Sequence, residues 1–292
     1  MKWVILVVLV ALWTPSVQPA KILAINVFNA TSHSSWISAL VSALGQRGHT
    51  ITYADAMPPK KPIQNTRHLL IEEFPAEVNE IVLRFVASLT EGTAFQKVDN
   101  LQESELKRCE HYYKMAPFKQ LVSNPNESFD LILLNYNLND CLFALTHLFN
   151  APMVIAAPFA SNPYWVLRAM SAPMFHAVPH YFDDYSMPLS LLQRLKTLCT
   201  YLYDDYRYRW NYVPAVDKIL KETFGGDTPS VETLQKRAPL ALINLPATNH
   251  KMPLPANVMP VGGLHIAPTK PLPQVSVSNQ QVLNLGLNLI RL

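Results

Sequence analysis

The sequence predicts an α/β fold built on a parallel sheet, on three observations. Short apolar runs of strand length alternate with segments of helical period. The first strand, turn, helix and strand fit within about 35 residues, the length of a βαβ unit. Two later runs, DLILLNYN and PMVIAAP, are largely apolar along their length, as strands covered on both faces are.

The elements follow in order. Lys21 to Phe28, KILAINVF, is a β-rich run that reads as a buried strand, and NATSHSS after it reads as a polar turn. Trp36, Ile37, Leu40, Val41 and Leu44 share one helical face, and Gly48 stands where a helix C-cap is expected. His49 to Ala54, HTITYA, reads as the second strand. Val78, Ile81, Val82, Phe85, Val86 and Leu89 keep helical spacing, and Ser104 to Leu121 predicts a further helix of mixed charge, both as cover for a sheet. Asp130 to Asn137 is the third strand, DCLFALTHLF a helix, and PMVIAAP the fourth strand. Residues 159–210 are rich in Pro, Met and aromatics and include a helix with Leu191, Leu192, Leu195, Leu198 and Leu202. That stretch suits either an apolar cleft or lid, or a helical excursion packed on the sheet. After Gly225 and Gly226 comes a helix capped by Ser230, then strands at 240–245 and 258–261. From Ile266 onward a Pro-rich linker gives way to a weakly patterned tail.

Ahead of this domain, Lys2 precedes an unbroken apolar run from Trp3 to Trp13, followed by Pro15, Ser16 and Ala20. The layout is that of a signal peptide cleaved near Ala20, the run being shorter than the about 20 residues of a membrane span. The expected organisation is therefore signal peptide 1–20, α/β domain 21–264, and linker with tail 265–292. The expected location is the secretory pathway, in the endoplasmic reticulum lumen or secreted. A net charge of +3 with interspersed signs gives no block that would hold nucleic acid. Cys109, Cys141 and Cys199 form an odd set without metal-like spacing, and buried thiols are the favoured reading, with one bridged pair as the alternative. The sequons at Asn29 and Asn126 are glycan acceptors in such a compartment, Asn126 the better because Asn29 lies beside the residue to which the chemistry points.

That residue is His33, in TSHSSW between the first strand and the first helix. Ligands of parallel α/β sheets bind at the carboxyl ends of strands. A helix amino terminus disfavours the imidazolium, and a neutral histidine acts as a base at neutral pH. Asp140, in the turn after the third strand, reaches the same sheet edge and would hold one ring nitrogen protonated while the other takes a hydroxyl proton. The plainer alternatives are a helix N-cap for Asp140 and a polar turn residue for His33. No G-x-S-x-G, Walker A or G-x-G-x-x-G motif occurs. His176 and His180 have zinc-like spacing, but Pro179 interrupts them and the metalloprotease Glu is missing, so no metal is expected.

Across TSHSSW, FDLILLNYNLNDC, VPHYFDDYSMPLSLLQR, FGGDTPSVETLQKRAPLALINL and LPANVMPVGGLHI followed by KPLP, the sequence resembles the animal UDP-glycosyltransferases, the insect branch in particular. The resemblance covers nearly all of residues 21–273. It implies a GT-B architecture whose Rossmann-like amino-terminal domain binds the acceptor and whose other domain binds the UDP-sugar. It implies an inverting, metal-independent and cofactor-free transfer of a hexose, glucose foremost, with His33 as base and Asp140 as its partner. Trp36, Tyr164, Trp165 and Phe175 fall in or near its acceptor-side segments, and their apolar character suits a small lipophilic phenol, steroid or plant compound. In the family, KPLP leads into an acidic helix, the donor domain, a transmembrane helix and a basic tail, none of which QVSVSNQQVLNLGLNLIRL resembles. The expectation is thus a chain that uses UDP-sugar only when a donor domain is supplied. The alternative is a non-catalytic, aglycone-binding subunit that associates with full-length transferases.

Overall fold

The computed structural model describes residues 18–59, 61–159, 164–172, 178–246 and 254–266. Residues 1–17 of the expected signal peptide, Phe175, His176 and the tail from residue 267 lie outside them.

Seven strands form one parallel sheet: β1 (Lys21–Asn26), β2 (Thr50–Asp55), β3 (Thr66–Leu70), β4 (Leu131–Asn135), β5 (Met153–Ala157), β6 (Leu240–Ile243) and β7 (Val258–Pro260). Their spatial order is β3-β2-β1-β4-β5-β6-β7. The chain thus lays β1 to β3 outward in one direction and β4 to β7 in the other, which makes the β1/β4 boundary the topological switch point. Both faces of β1 are buried: Leu23 and Ile25 enter the larger core cluster, while Ile22 and Ala24 enter a smaller one with Trp36, Ile37 and Val41. Double-sided burial is why the predicted strands read as continuous apolar runs.

The helices are α1 (Thr31–Gln46), α2 (Ala76–Glu91), α3 (Ala94–Tyr112), α4 (Ala116–Ser123), α5 (Ala144–Leu148), α6 (Tyr164–Ala169), α7 (Leu191–Arg207), α8 (Val213–Phe224) and α9 (Val231–Gln235). Several differ from the sequence expectation. The span 104–121 is two helices, because α3 ends at Tyr112 and α4 restarts with Pro117 in its first turn. DCLFALTHLF is a 3-10 turn (Asp140–Phe143) followed by the short α5. β3 has no counterpart among the predicted strands. On α7 the leucines face outward: Leu191, Leu192, Leu195 and Leu202 are exposed, whereas Thr197, Thr200, Tyr201 and Asp204 are buried. The inward face is polar because it meets the buried cluster of Asp204, Arg168 and His180 and the Asp183 carboxylate.

The cysteine expectation is corrected as well. Cys109 on α3 and Cys141 in the 3-10 turn are disulfide-bonded, and the free Cys199 is exposed rather than buried. A bond between α3 and the turn after β4 joins segments whose proximity only the assembled sheet reveals.

The start of α3 carries a capping box, in which Thr93 Oγ1 accepts from the Gln96 N–H at 3.3 Å and Gln96 Oε1 accepts from the Thr93 N–H at 2.9 Å. Thr93→Ala is expected to cost about 1 kcal/mol. The check is the urea midpoint, and an unchanged midpoint would show that the cap contributes nothing.

Candidate active site

Three adjacent strands end in a buried polar residue: Asn26 closes β1, Asp55 closes β2 and Asn135 closes β4. The parallel register places Asn26 against Asp55. These side chains bond to one another at the switch point. Asn26 Nδ2 donates to Asp55 Oδ1 and to Ser34 Oγ, both at 2.8 Å, and Asn135 Nδ2 donates to Asn26 Oδ1 at 2.6 Å. Ser34 Oγ in turn donates to Asp55 Oδ1 at 3.2 Å, which ties the first turn of α1 down onto the strand ends.

That turn carries His33. The sequence reading placed it in a loop before the helix, but α1 begins at Thr31, so His33 is the third residue of the helix. Its Nδ1 lies 3.3 Å from Asn135 Nδ2, and its ring packs between Phe28 and Phe159, with centroids 5.3 and 5.4 Å away. Burial lowers the His33 pKa to about 4, and the charge on Arg108 adds to the lowering. The positive end of α1 is a further physical reason for a neutral ring.

Beside Phe28 opens a cavity of about 430 Å³ of mixed character, with Phe28, Ile71, Phe74 and Phe85 on its apolar side and Glu72, Glu73, Asn79, Glu105, Arg108 and Asn137 among its polar groups. The Arg108 guanidinium lies over the rings of Phe28 and Phe74, at 5.1 and 5.8 Å, and donates to Glu105 Oε1 at 2.6 Å. Burial pushes the Glu105 carboxyl up to about 7, against the opposing pull of Arg108. A cavity with aromatic and polar walls, next to a neutral histidine through Phe28 at a switch point, is the kind of place where a small ligand binds.

The other anticipated residues fall elsewhere. Asp140 is fully buried and accepts from Tyr136 Oη at 2.7 Å and Gln235 Nε2 at 3.0 Å. It has no hydrogen bond to His33 among the described residues, and Asn135 occupies the contact with the ring. Burial raises the Asp140 pKa, with Tyr136 and Arg168 opposing. Trp36 is 1% exposed and belongs to the core on the other sheet face. Tyr164 and Trp165 are buried in an aromatic cluster with His180 and Tyr181, reached from His33 through Phe159. Asn29 is exposed and lines the cavity, and Asn126 is exposed in the turn after α4. Asn26, Asp55, Asn135, Glu105 and Arg108 were not singled out from sequence. For the first three a signal existed: each is the polar residue that ends an apolar strand run. No group of three or more His, Cys, Asp or Glu among the described residues could hold a metal ion, and no described helix is long and apolar enough to cross a membrane.

The neutral state of His33 has a stability consequence. A folded pKa below the ordinary 6.5 means that the folded state binds its proton less readily than the unfolded chain. The associated stability is fully present above pH 6.5 and is lost as pH falls through about 4. His33→Gln is expected to lose less stability than the unaltered chain between pH 7 and pH 4.5, read from urea midpoints. Parallel curves would mean that His33 titrates normally.

The chain matches the family model for UDP-glucoronosyl and UDP-glucosyl transferase over residues 20–282. It is 26% identical over 262 residues to UDP-glycosyltransferase UGT5 of Dactylopius coccus, covering 87% of this chain and 49% of the relative. It is also 26% identical over 267 residues to human UDP-glucuronosyltransferase 2B15, covering 84% and 49%. The calicheamicin glycosyltransferase CalG4 is a solved structure with a TM-score of 0.39 and 17% identity, covering 84% of this chain and 52% of that one. The chain spans about half the length of the curated relatives it matches. With a parallel sheet and a family match over most of its length, this chain belongs to the UDP-glucuronosyl and UDP-glucosyl transferase family.

Proposed function

We propose that this chain provides the acceptor side of a UDP-glycosyltransferase, with His33 as the base that activates a hydroxyl of a small lipophilic acceptor. The observation that carries the reading is a histidine held neutral at the switch point beside a cavity with an aromatic wall. In the reaction, an acceptor hydroxyl seated at the cavity loses its proton to His33 as its oxygen attacks the anomeric carbon of the sugar. The bond from that carbon to the phosphate oxygen breaks, and UDP leaves with the electron pair. A single displacement of this kind inverts the anomeric centre. The protein's share is orientation and proton transfer, with water displaced by Phe28, Phe74 and Phe85.

Two relatives point to glucose as the sugar: UDP-glucosyltransferase 2 of Dactylopius coccus and the ecdysteroid UDP-glucosyltransferase of Autographa californica nuclear polyhedrosis virus. The second also points to steroid-like acceptors, which the aromatic wall of the cavity, Phe28, Phe74 and Phe85, suits. In this reading the sugar nucleotide is a co-substrate held by a donor domain, and no other cofactor takes part. Asp140 acts on the site at a distance, by fixing Tyr136 in the turn after β4, while Asn135 makes the contact with the ring. The secretory route, with Asn126 as a glycan acceptor, completes the reading.

The test joins residues 1–273 to the donor domain of a relative and measures UDP release from UDP-glucose with phenolic and steroid acceptors. Release that depends on the acceptor is the expected result. A chimera that binds UDP-glucose and the acceptor together yet releases no UDP would overturn the proposal.

A further inference from the structure

The hydrogen-bond chain behind His33 assigns donors and acceptors in a fixed order. Asp55 is buried, and its Oδ1 accepts from Asn26 Nδ2, from Ser34 Oγ and from the Met57 N–H at 3.1 Å. A carboxylate there forces Asn26 to present its NH₂ group, and the Phe28 N–H, 3.3 Å from Asn26 Oδ1, requires an acceptor on the other side of the same amide. Asn26 Oδ1 therefore faces Asn135. At 2.6 Å, the atom Asn135 offers in return must be a donor, since two carbonyl oxygens so close would repel. The same Nδ2 is the atom beside His33 Nδ1. Asn135 Oδ1 is buried and has no partner among the described residues, so the amide keeps this orientation although its own oxygen goes unsatisfied.

We infer that Asn135, oriented by Asn26 and Asp55, is a positioning residue that holds resting His33 in the tautomer whose Nδ1 accepts and whose Nε2 carries the proton. The inference deepens the reading of His33 as base and rests on it for its functional meaning. A ring locked in this tautomer offers an incoming hydroxyl a donor at Nε2, and proton abstraction there requires Nδ1 to carry the hydrogen instead. The unpartnered Asn135 Oδ1 is the group able to accept that hydrogen, once the amide turns over and its contact with Asn26 is released. The orientation of one amide thus sets whether the base is armed.

The measurement is a long-range proton–nitrogen correlation spectrum of the ¹⁵N-labelled full chain at pH 7, with the His33 signals identified by their loss in His33→Gln. The Nε2–H tautomer is expected in the unaltered chain, and a predominant Nδ1–H tautomer overturns the inference without any variant. Asn135→Asp supplies an acceptor at Nδ1 and is expected to convert His33 to the Nδ1–H form and raise its pKa above that of the unaltered chain. Asn26→Leu removes the oxygen that orients Asn135, and Nδ1–H signals are expected to appear. If both folded variants keep the original tautomer, Asn135 does not set it. These spectra need no turnover: a chimera in which His33→Ala retains transfer would remove the base role and leave the tautomer result standing, and a wild-type Nδ1–H ring would do the reverse.

Discussion

His33→Ala, in a chain joined to a donor domain, is expected to lower kcat for acceptor-dependent UDP release by about 10²–10⁴-fold, the usual share of a general base. The expectation follows from where the ring sits. His33 is packed between two aromatic rings next to the cavity, and it stays unprotonated well below neutral pH. Alanine removes the proton acceptor but leaves the apolar lining, so the KM for the acceptor should change far less than kcat. His33→Gln preserves a polar side chain without a basic nitrogen and should be nearly as slow as alanine. Full activity in either variant, with the chimera folded and both substrates bound, would exclude His33 as the base.

Asp204→Ala is the substitution expected to harm folding most, by about 3–5 kcal/mol. Asp204 on α7 is 1% exposed and accepts from Gln102, Trp165, Arg168 and His180 at 2.9 to 3.3 Å, which joins α3, α6, α7 and the segment before α7. Burial works against its ionised form, yet Arg168 and His180 prevail and hold the pKa below the usual carboxylate range. Arg168 is itself buried, stacked 3.6 Å over the Tyr208 ring. Without Asp204 that guanidinium stays charged and buried with no carboxylate bonded to it. Asp204→Asn keeps the shape and loses the charge, and an intermediate cost is expected. The pH dependence has a definite sign: a depressed carboxylate stabilises above its unfolded pKa and loses that stabilisation as pH falls through the folded value. Urea midpoints at pH 7 and at successive pH values below the ordinary 3.8 would show the variants approaching the unaltered chain only in that acid range. A loss below about 1 kcal/mol at pH 7, typical of an exposed ion pair, would mean that the cluster is not a determinant of the fold.

The cluster also explains where sequence reading stops. Helical period was legible in α7, but which face turns inward was not. Its leucines look like a core stripe, and the true inner face carries Thr197 and Thr200, which bond to Asp183 just before the helix, and Asp204, whose partners include Gln102 on α3. Central strands were legible because double-sided burial leaves runs such as KILAIN and LILLN. β3, TRHLL, was missed because an edge strand that is only partly buried keeps Arg67 and His68 and lacks that signature. The start of α1 read as a turn since TSHSS carries no apolar residue, yet a first helical turn facing a polar sheet edge needs none. His33 was found from its place in a βαβ unit. Its neighbour was not: a charged residue, Asp140, drew the assignment, while the strand register puts the last residue of β4, Asn135, beside the ring. After it the chain turns away through Leu138, at φ 63°, into the 3-10 turn that buries Asp140 among Tyr136 and Gln235.

The site's three strand-end residues are far apart along the chain. Asn26 and Asp55 are separated by 29 positions, but Asn26 and Asn135 by 109. At ribosomal rates of about 5–20 residues per second, Asn26 waits roughly 5–20 s for Asn135 to be made. During that interval β1 lacks one of its two sheet neighbours, and the Asn26 amide, destined for complete burial, lacks the donor that Asn135 brings to its oxygen. The polar cluster beside His33 therefore cannot close until about half of the domain has been made. Contacts of such long sequence separation fold slowly and leave strand edges open to wrong pairing. A nascent chain stopped short of residue 135 carries the histidine but not the amide that contacts its ring.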